Sequence, residues 1–319
     1  MALHLPGCPP LTEDTGIPLP RGVSFVIPVF NKAPYLARVF AALEDQSGDF
    51  DREFIFVDDG STDDSFAVLE RLTAGRDDVT IHRQANHGSA HASNQGIIRA
   101  KYAFIKFVDA DDLVGRHGTR MLLEALEAHP DAVLSFGDWT RFAMEGPAPD
   151  IVSQDAPGTI AVLDNPVRAA IKNSLFNPTQ CLVRTDAVRA AGGCDERIRF
   201  SQEYTMTLRM ALLGAFVKIA ATVAWRPSVV PGSLSTNEPR QLQRVTMSYA
   251  WFLRDFPDLP FGLRYFAARR AAGRAWHFAR RHRGATWLNS AWPWRYLWAH
   301  LPVPRDHAAS IEGSAAVFD

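Results

Sequence analysis

Residues 53–64 read EFIFVDDGSTDD, and residues 104–112 read FIKFVDADD. Each segment is a short apolar run that ends in carboxylates, with Asp58 and Asp59 in the first and Asp109 and Asp111 in the second. Such runs are typical of strands that are buried in a parallel sheet. Ligands of open α/β sheets bind outside the carboxyl ends of the strands. We therefore expect both acidic groups to face the same crevice.

The surrounding sequence repeats the alternation of strand and helix. An apolar run at 23–29 precedes a stretch of helical periodicity at 33–45, and the pattern continues to residue 129. This alternation predicts a mostly parallel sheet covered by helices. For the rest of the body we predict a loop or lid at 146–157, a helix near 166–173, a strand near 180–184, a helix near 201–213, and two short strands at 216–220 and 222–225.

The composition excludes several classes of protein. The chain has 319 residues, of which 47% are hydrophobic and 22% charged, and its formal charge is −1. These values are typical of a globular protein and not of a disordered or nucleic-acid-binding chain. Three cysteines without a C-x-x-C pair argue against a disulfide framework or a zinc ribbon. No apolar run approaches the roughly 20 residues of a membrane span. We expect a cytoplasmic protein, either free or peripheral at the inner face of the cytoplasmic membrane.

Carboxylates that gather at one crevice raise each other's pKa unless a cation neutralises them. Hard carboxylate oxygens at D-x-D spacing favour Mg²⁺ or Mn²⁺, whose coordination is completed by water and substrate phosphates. Taken alone, either acidic group is explained more simply as a turn followed by a helix N-cap. Two such groups at the ends of neighbouring strands favour a divalent metal that binds a diphosphate.

Four segments in this order carry a resemblance to a known family: SFVIPVFNKAPYLARVFAAL, FIFVDDGSTDDS, ANHGSAHASNQGI and FIKFVDADD. Together they resemble the family 2 glycosyltransferases, over roughly residues 23–213. The resemblance implies a GT-A fold, which is a Rossmann-like α/β architecture with a mostly parallel sheet and flanking helices. It also implies an inverting enzyme that transfers a hexosyl or N-acetylhexosaminyl group from a nucleotide-sugar donor, with UDP as the more frequent nucleotide. The acceptor would be a hydroxyl of a glycan or lipid-linked molecule in cell-surface polysaccharide or glycolipid synthesis.

The resemblance also implies roles for individual residues. Asp111, with Asp109 beside it, would bind the divalent metal, and Asp112 would be a helix cap or a supporting group. Asp58 or Asp59 would accept hydrogen bonds from the base or the ribose. The full set implied for nucleotide and donor binding is Pro28, Val29, Phe30, Asn31, Asp58, Asp59, Asn86, Gly88, Asn94 and Asp109.

The sequence departs from the family where the general base is expected. The family has G-G-F-D-E and later E-D ahead of a helix, whereas this chain has GGCDE at 192–196 and SQEY at 201–204. Glu203 is therefore the predicted base, and Asp195 is the second choice. Alternatively, Glu203 is an exposed residue that the helix dipole stabilises. The segment 229–235, VVPGSLS, lacks the His that relatives often have before S-x-S.

The C-terminal part has a different charge from the body. Residues 259–305 contain nine arginines and no acidic residue, and five of the eight tryptophans lie within 276–298. Such a segment either lies on an anionic membrane surface, through residues 264–300, or packs against the catalytic domain or a second subunit. The sequence therefore leaves open whether the protein forms a homo-oligomer. We predict a flexible arm at 1–21, a GT-A catalytic domain at 22–236, a helical extension at 237–305 and a flexible tail at 306–319.

A second hypothesis follows from the altered base segment and the missing His. It describes a GT-A-fold protein that no longer transfers sugar and instead binds a glycan or a protein partner. We do not expect nucleic acid as a partner, because the body of the protein is not basic.

Overall fold

The computed structural model describes residue 5 and residues 9–12, 17–143, 154–198, 202–228 and 237–318. The chain divides into two compact units. Unit 1 comprises residues 1–5, 9–166 and 175–231, and unit 2 comprises residues 6–8, 167–174 and 232–319. Two predicted segments lie partly outside the described residues. In the lid these are residues 146–153, and in the arm they are residues 1–4, 6–8 and 13–16.

Unit 1 contains the predicted parallel sheet. Strands β1 (Gly22–Val29), β2 (Asp51–Asp58), β3 (Val79–Arg83) and β4 (Phe104–Phe107) are parallel and lie in the order β3-β2-β1-β4. Helices α1 (Ala33–Glu44), α2 (Ser65–Leu72) and α3 (Ser89–Arg99) connect them. The buried residues of α1 are spaced i, i+3, i+4 and i+7, so a single face of the helix packs on the core; they are Leu36, Val39, Phe40 and Leu43.

The other half of the sheet is mixed. It contains β5 (Leu113–Val114), β6 (Ala132–Phe142), β7 (Ile160–Leu163), β8 (Cys181–Arg184) and β9 (Ala215–Pro227). Strand β8 is antiparallel to β4 and β6, while β9 is parallel to β6 and antiparallel to β5 and β7. Helices α4 (Gly118–Glu127), α6 (Thr185–Ala190) and α7 (Gln202–Met210) belong to this unit, whereas α5 (Val167–Lys172) belongs to unit 2.

Strand β9 corrects the sequence prediction. The two short strands predicted at 216–220 and 222–225 form one continuous strand, and its partner β6 is not among the predicted strands. The register between β6 and β9 shifts around Phe136 and Trp139. A register shift of this kind keeps two long strands paired across an irregular stretch. The apolar pattern is interrupted at such a stretch, and it therefore predicted two separate strands.

The pairing of β1 fixes the position of the acidic segments. It lies between β2 and β4, and Val29 at its end is opposite Asp58. The segment Asp58–Asp64, here called the β2 loop, and the segment Asp109–Asp112, here called the β4 loop, therefore leave the same edge of the sheet.

Unit 2 is helical. Besides α5 it contains α8 (Glu238–Asp255), α9 (Phe261–His282), α10 (Trp292–Ala299) and α11 (His307–Ala315). The predicted flexible tail at 306–319 is corrected by α11, since Asp306 caps this helix and Ile311, Val317 and Phe318 are buried. Among the described residues, no helix is both long enough and apolar enough to cross a bilayer.

Candidate active site

The segment that follows β1 is tied to the β2 loop. Asn31 has a φ of 53°, a left-handed conformation that asparagine tolerates better than most residues. Its Oδ1 accepts a hydrogen bond from the backbone N–H of Thr62 at 2.8 Å, and its own N–H donates to Ser61 Oγ at 3.0 Å. Phe30 beside it is exposed. The predicted nucleotide-binding segment Pro28–Asn31 is therefore held against the β2 loop, while its contact with a nucleotide stays a prediction.

Asp59 holds the loop that leads into α3. Its carboxylate accepts hydrogen bonds from the backbone N–H groups of His87 and Gly88, at 2.9 and 2.8 Å, and from Gln84 Nε2 at 2.8 Å. Gly88 has a φ of 96°, which favours glycine at this position. Asp59 is thus a structural group in this state of the protein, with its acceptor oxygens already in use.

Asp58 differs from its neighbour. Its side chain is fully buried, and no described group donates a hydrogen bond to either carboxylate oxygen. The nearest cation is Arg83, whose Nε lies 3.2 Å from Oδ2. A buried carboxylate without hydrogen bonds is costly, so an N–H group of a ligand would relieve it. This is the property expected of the residue that reads a nucleobase.

Asn94 connects α3 with the GGCDE segment. Its Nδ2 donates to the carbonyl of Cys194 at 2.9 Å and to Glu196 Oε1 at 2.7 Å, and its Oδ1 accepts from the N–H of Cys194 at 2.8 Å. These bonds make Asn94 a positioning residue for this segment. Asn86 is exposed at the start of the same loop. Direct contact of Asn86 or Asn94 with the donor stays a prediction.

The β4 loop contains closely spaced carboxylates. Burial, reinforced by the charge of Asp111, raises the pKa of Asp109 to about 6. Asp111 forms an ion pair with Lys32, whose Nζ lies 2.5 Å from Oδ2. Asp112 is buried and accepts a hydrogen bond from Thr179 Oγ1 at 2.7 Å, and burial together with Asp109 raises its pKa well above the ordinary value. The repulsion predicted for this cluster is therefore present.

Three cations near the β4 loop are not among the predicted site residues. Lys32 precedes α1, and Arg226 lies near the end of β9 with its Nε 3.6 Å from Asp112 Oδ2. Lys106 is fully buried in β4 and donates to the carbonyls of Thr179 and Cys181, and burial lowers its pKa to about 8. A lysine inside the apolar run FIKFV is a signal that could have identified one of them. Lys32 and Arg226 required the tertiary structure.

Glu203 lies in the first turn of α7 and lines a small cavity with Asp109. Burial raises the pKa of Glu203 to about 7, and the negative charge of Asp109 adds to this effect. A carboxylate with a pKa near neutrality is suited to accept a proton at physiological pH. The alternative of a solvent-exposed Glu203 does not fit this position. The other residues that line the cavity are Pro28, Ser93, Phe107, Val108, Pro178, Cys194 and Met206.

Asp195 has the opposite electrostatics. Burial acts to raise its pKa, but the hydrogen bond from Arg197 and the charge of Arg209 outweigh burial and lower the pKa. The guanidinium groups lie 2.5 and 2.9 Å from Asp195 Oδ2. A carboxylate neutralised by two arginines is a weak proton acceptor. Of the two predicted bases, Glu203 is therefore the better suited.

The fit of a divalent metal rests on Asp109 and Asp111. Among the residues that the structure describes, no group of three or more His, Cys, Asp or Glu side chains is arranged as a metal site. Mg²⁺ is commonly bound through one or two protein carboxylates, with water and phosphates completing the shell. Burial and the charge of Asp111 raise the pKa of Asp109, and a cation that binds between the two carboxylates relieves their repulsion. The donor set therefore suits a hard divalent ion, in competition with Lys32.

Residues 24–148 match the family model described as glycosyl transferase family 2. This match covers less than half of the chain, and within residues 24–148 the chain is similar to the family 2 glycosyltransferases. Glycosyltransferase GlyG of Streptococcus pneumoniae is 31% identical over 121 residues, which cover 38% of this chain and 40% of that protein. The poly-beta-1,6-N-acetyl-D-glucosamine synthase of Staphylococcus aureus is 26% identical over 114 residues, which cover 34% of this chain and 26% of that protein. The chain matches less than half the length of either relative.

Solved structures support the fold over a longer part of the chain. TarS residues 1–349 of S. aureus, in complex with UDP-GlcNAc, align with a TM-score of 0.65 and 16% identity, covering 93% of this chain and 90% of that one. The mannosyltransferase PcManGT of Pyrobaculum calidifontis, in complex with GDP-Man and Mn²⁺, aligns with a TM-score of 0.56 and 17% identity, covering 98% and 88%. These alignments confirm the predicted GT-A fold, and the predicted resemblance to family 2 glycosyltransferases is supported over residues 24–148.

Proposed function

We propose that the chain is an inverting glycosyltransferase. It transfers a hexosyl or N-acetylhexosaminyl group from a nucleoside diphosphate sugar, with UDP as the first candidate nucleotide, to a hydroxyl group. The acceptor is a glycan or a lipid-linked molecule of cell-surface polysaccharide or glycolipid synthesis. The observation that carries the proposal is Glu203, which shares a cavity with Asp109 at the carboxyl edge of the sheet. The relative that is named a poly-N-acetylglucosamine synthase and the structure that contains UDP-GlcNAc support the choice of donor.

The donor nucleotide binds along the segment after β1 and the β2 loop. Asp58 accepts a hydrogen bond from the base, because its buried oxygens lack a donor within the described structure. Asp59 acts indirectly by holding the loop at His87 and Gly88. Asp109 and Asp111 bind the divalent metal, Mn²⁺ or Mg²⁺, which when bound neutralises the charge of the leaving diphosphate.

Glu203 is the general base of the transfer step. Its carboxylate takes the proton of the acceptor hydroxyl while the oxygen of that hydroxyl forms a bond to the anomeric carbon. The bond between the anomeric carbon and the diphosphate oxygen breaks at the same time, and the electron pair leaves with the nucleoside diphosphate. A single displacement of this kind inverts the anomeric configuration, as in the inverting glycosidases that use a carboxylate base.

Glu203→Gln tests this role directly. We expect turnover, measured as nucleotide release from a panel of UDP- and GDP-sugars with Mn²⁺, to fall by about 10²- to 10⁴-fold. Donor affinity, measured by thermal shift, should change little. Glu124→Gln, which alters an exposed carboxylate paired with Arg120, is the matched control and should retain turnover. A wild-type protein that binds a donor but turns over none of the panel with any acceptor would support the glycan- or partner-binding alternative.

A further inference from the structure

Helix α10 exposes a continuous apolar face. Trp294, Leu297, Trp298 and Leu301 are spaced i, i+3, i+4 and i+7, so they lie along one side of the helix and its C-terminal end. Their exposed fractions run from 44% to 58%. Exposure of one large apolar residue is ordinary, but four in one stripe indicate an interaction surface.

The segment before α10 extends this face. Trp287 packs edge-on against Trp294, with ring centroids 5.7 Å apart, and Trp294 Nε1 donates a hydrogen bond to the carbonyl of Trp287. The neighbouring Leu288 is 99% exposed. Together these six residues, Trp287, Leu288, Trp294, Leu297, Trp298 and Leu301, are here called the tryptophan strip. The strip adjoins the interior of unit 2 at one end, where the ring of Trp287 lies 5.8 Å from that of the buried Trp276.

Positive charge accompanies the strip. The last turn of α9 and the residue after it carry Arg280, Arg281 and Arg283, all exposed, directly before the segment of Trp287. Within the described part of the chain, none of the three forms an ion pair with an acidic side chain. No acidic residue occurs anywhere in 259–305. The region therefore presents tryptophan, leucine and arginine to solvent, and an acidic side chain near these arginines is Glu238, whose Oε2 lies 3.8 Å from His282 Nε2.

We propose that the tryptophan strip docks onto an anionic lipid surface. Tryptophan and leucine insert at the boundary between head groups and acyl chains, while arginines remain at the level of the anionic head groups. Charge complementarity favours this occupant over a second copy of the chain, because an anionic surface supplies the negative charge that residues 259–305 of another copy lack. The inference goes beyond the proposed function and does not depend on it, since lipid binding requires no sugar transfer.

Vesicle co-sedimentation of the full chain tests the proposal. We expect binding to vesicles of phosphatidylcholine with phosphatidylglycerol to exceed binding to phosphatidylcholine alone by at least about tenfold, and to weaken as salt rises. The strip variant Trp294→Ser/Leu297→Ser/Trp298→Ser should lose this binding. Its control is Ile98→Ser/Ile160→Ser/Val162→Ser, which removes apolar side chains of similar exposure from unit 1.

A second pair of variants separates charge from apolar insertion. Arg280→Gln/Arg281→Gln/Arg283→Gln should reduce binding to the anionic vesicles by about tenfold or more. Arg71→Gln/Arg116→Gln/Arg141→Gln, which removes three exposed arginines of unit 1, should leave it unchanged. All variants should keep the wild-type melting temperature and the wild-type thermal shift with donor. A failure of the lipid-binding proposal is therefore distinguishable from a failure of the proposed function.

Three results would overturn the proposal. The first is equal binding to neutral and anionic vesicles, and the second is a strip variant that binds like the wild type. The third is a wild-type dimer that the strip variant converts to a monomer, measured by light scattering, because this would assign the face to a second copy of the chain.

Discussion

In the β2 loop, Asp59 and Asp63 accept hydrogen bonds from backbone N–H groups, whereas in the β4 loop Asp109 and Asp112 lie beside other carboxylates. The pKa values follow this difference. Burial acts to raise the pKa of Asp63, but hydrogen bonds from Ser65 and Ala33 outweigh it and lower the pKa. Burial and neighbouring charge raise the pKa of Asp109 to about 6.

The comparison shows that acidic motifs of similar sequence differ in how their carboxylates are neutralised or hydrogen-bonded, and we propose that this difference separates structural groups from ligand-binding groups. Carboxylates that accept backbone N–H bonds are satisfied within the protein and fix the loop. Carboxylates that repel each other are stabilised by nearby cations and donors, here Lys32 beside Asp111 and Thr179 with Arg226 beside Asp112. Asp58 is the exception in the β2 loop, since its oxygens accept no hydrogen bond from a described group.

The largest expected effect is on the β4 loop. Asp111→Asn should lower nucleotide release with Mn²⁺ by about a thousandfold, because a ligand of the ion that neutralises the leaving diphosphate is lost. The melting temperature should change little, because the substitution removes the repulsion from Asp109 together with the ion pair to Lys32. Asp64→Asn, in the exposed part of the β2 loop, is the control. Equal loss of activity in the two variants would remove the distinction between the loops.

The next effect is on the stability of the β2 loop. Asp59→Ala leaves the backbone N–H groups of His87 and Gly88 without their acceptor, and we expect it to lower the free energy of unfolding by about 3 kcal/mol. Asp64→Ala should cost less than about 0.5 kcal/mol, since this side chain makes no cap hydrogen bond. Urea unfolding measures both. A stable Asp59→Ala protein that has lost only donor affinity would place Asp59 among the ligand-binding residues instead.

A smaller effect is expected on metal affinity. Lys32→Met removes the cation that neutralises Asp111, so Mn²⁺ should bind the donor-free protein about tenfold more tightly by calorimetry. Lys101→Met, which removes a lysine paired with Glu53 at 3.7 Å, is the matched control. Weaker Mn²⁺ binding by the Lys32 variant would show that this lysine supports the metal site and does not compete with it.

The smallest effect is a pH-dependent change in stability. The folded-state pKa of Glu203, about 7, lies above its ordinary value of 4.5. The unfolded chain therefore releases this proton first, and wild-type stability falls as pH rises from about 4.5 to 7. Glu203→Gln lacks this loss, so its melting temperature should exceed that of the wild type at pH 8 by on the order of 5 °C and by less at pH 5. A difference that is independent of pH would contradict the raised pKa.

The sequence predicted the parallel half of the sheet well, because each strand there is a short apolar run between amphipathic helices. It failed for β6, β9 and α11, whose pairing and burial depend on partners far along the chain. The candidate site shows the same dependence on residues that are distant in sequence. The carboxylates of both loops follow directly from strand ends, but Lys32 and Arg226 come from a helix start and a distant strand. The different roles of Asp58 and Asp59 depend on which of them meets backbone N–H groups, and the sequence does not encode this locally.

The central claim is that the β4 loop, and not the β2 loop, binds the divalent ion of the reaction. Anomalous scattering from crystals grown with Mn²⁺ and UDP measures this directly. We predict a peak at coordination distance from the carboxylates of Asp109 and Asp111, with the Lys32 ammonium displaced from Asp111. A peak at Asp63 or Asp64, or no peak at saturating Mn²⁺ and UDP, would contradict the claim.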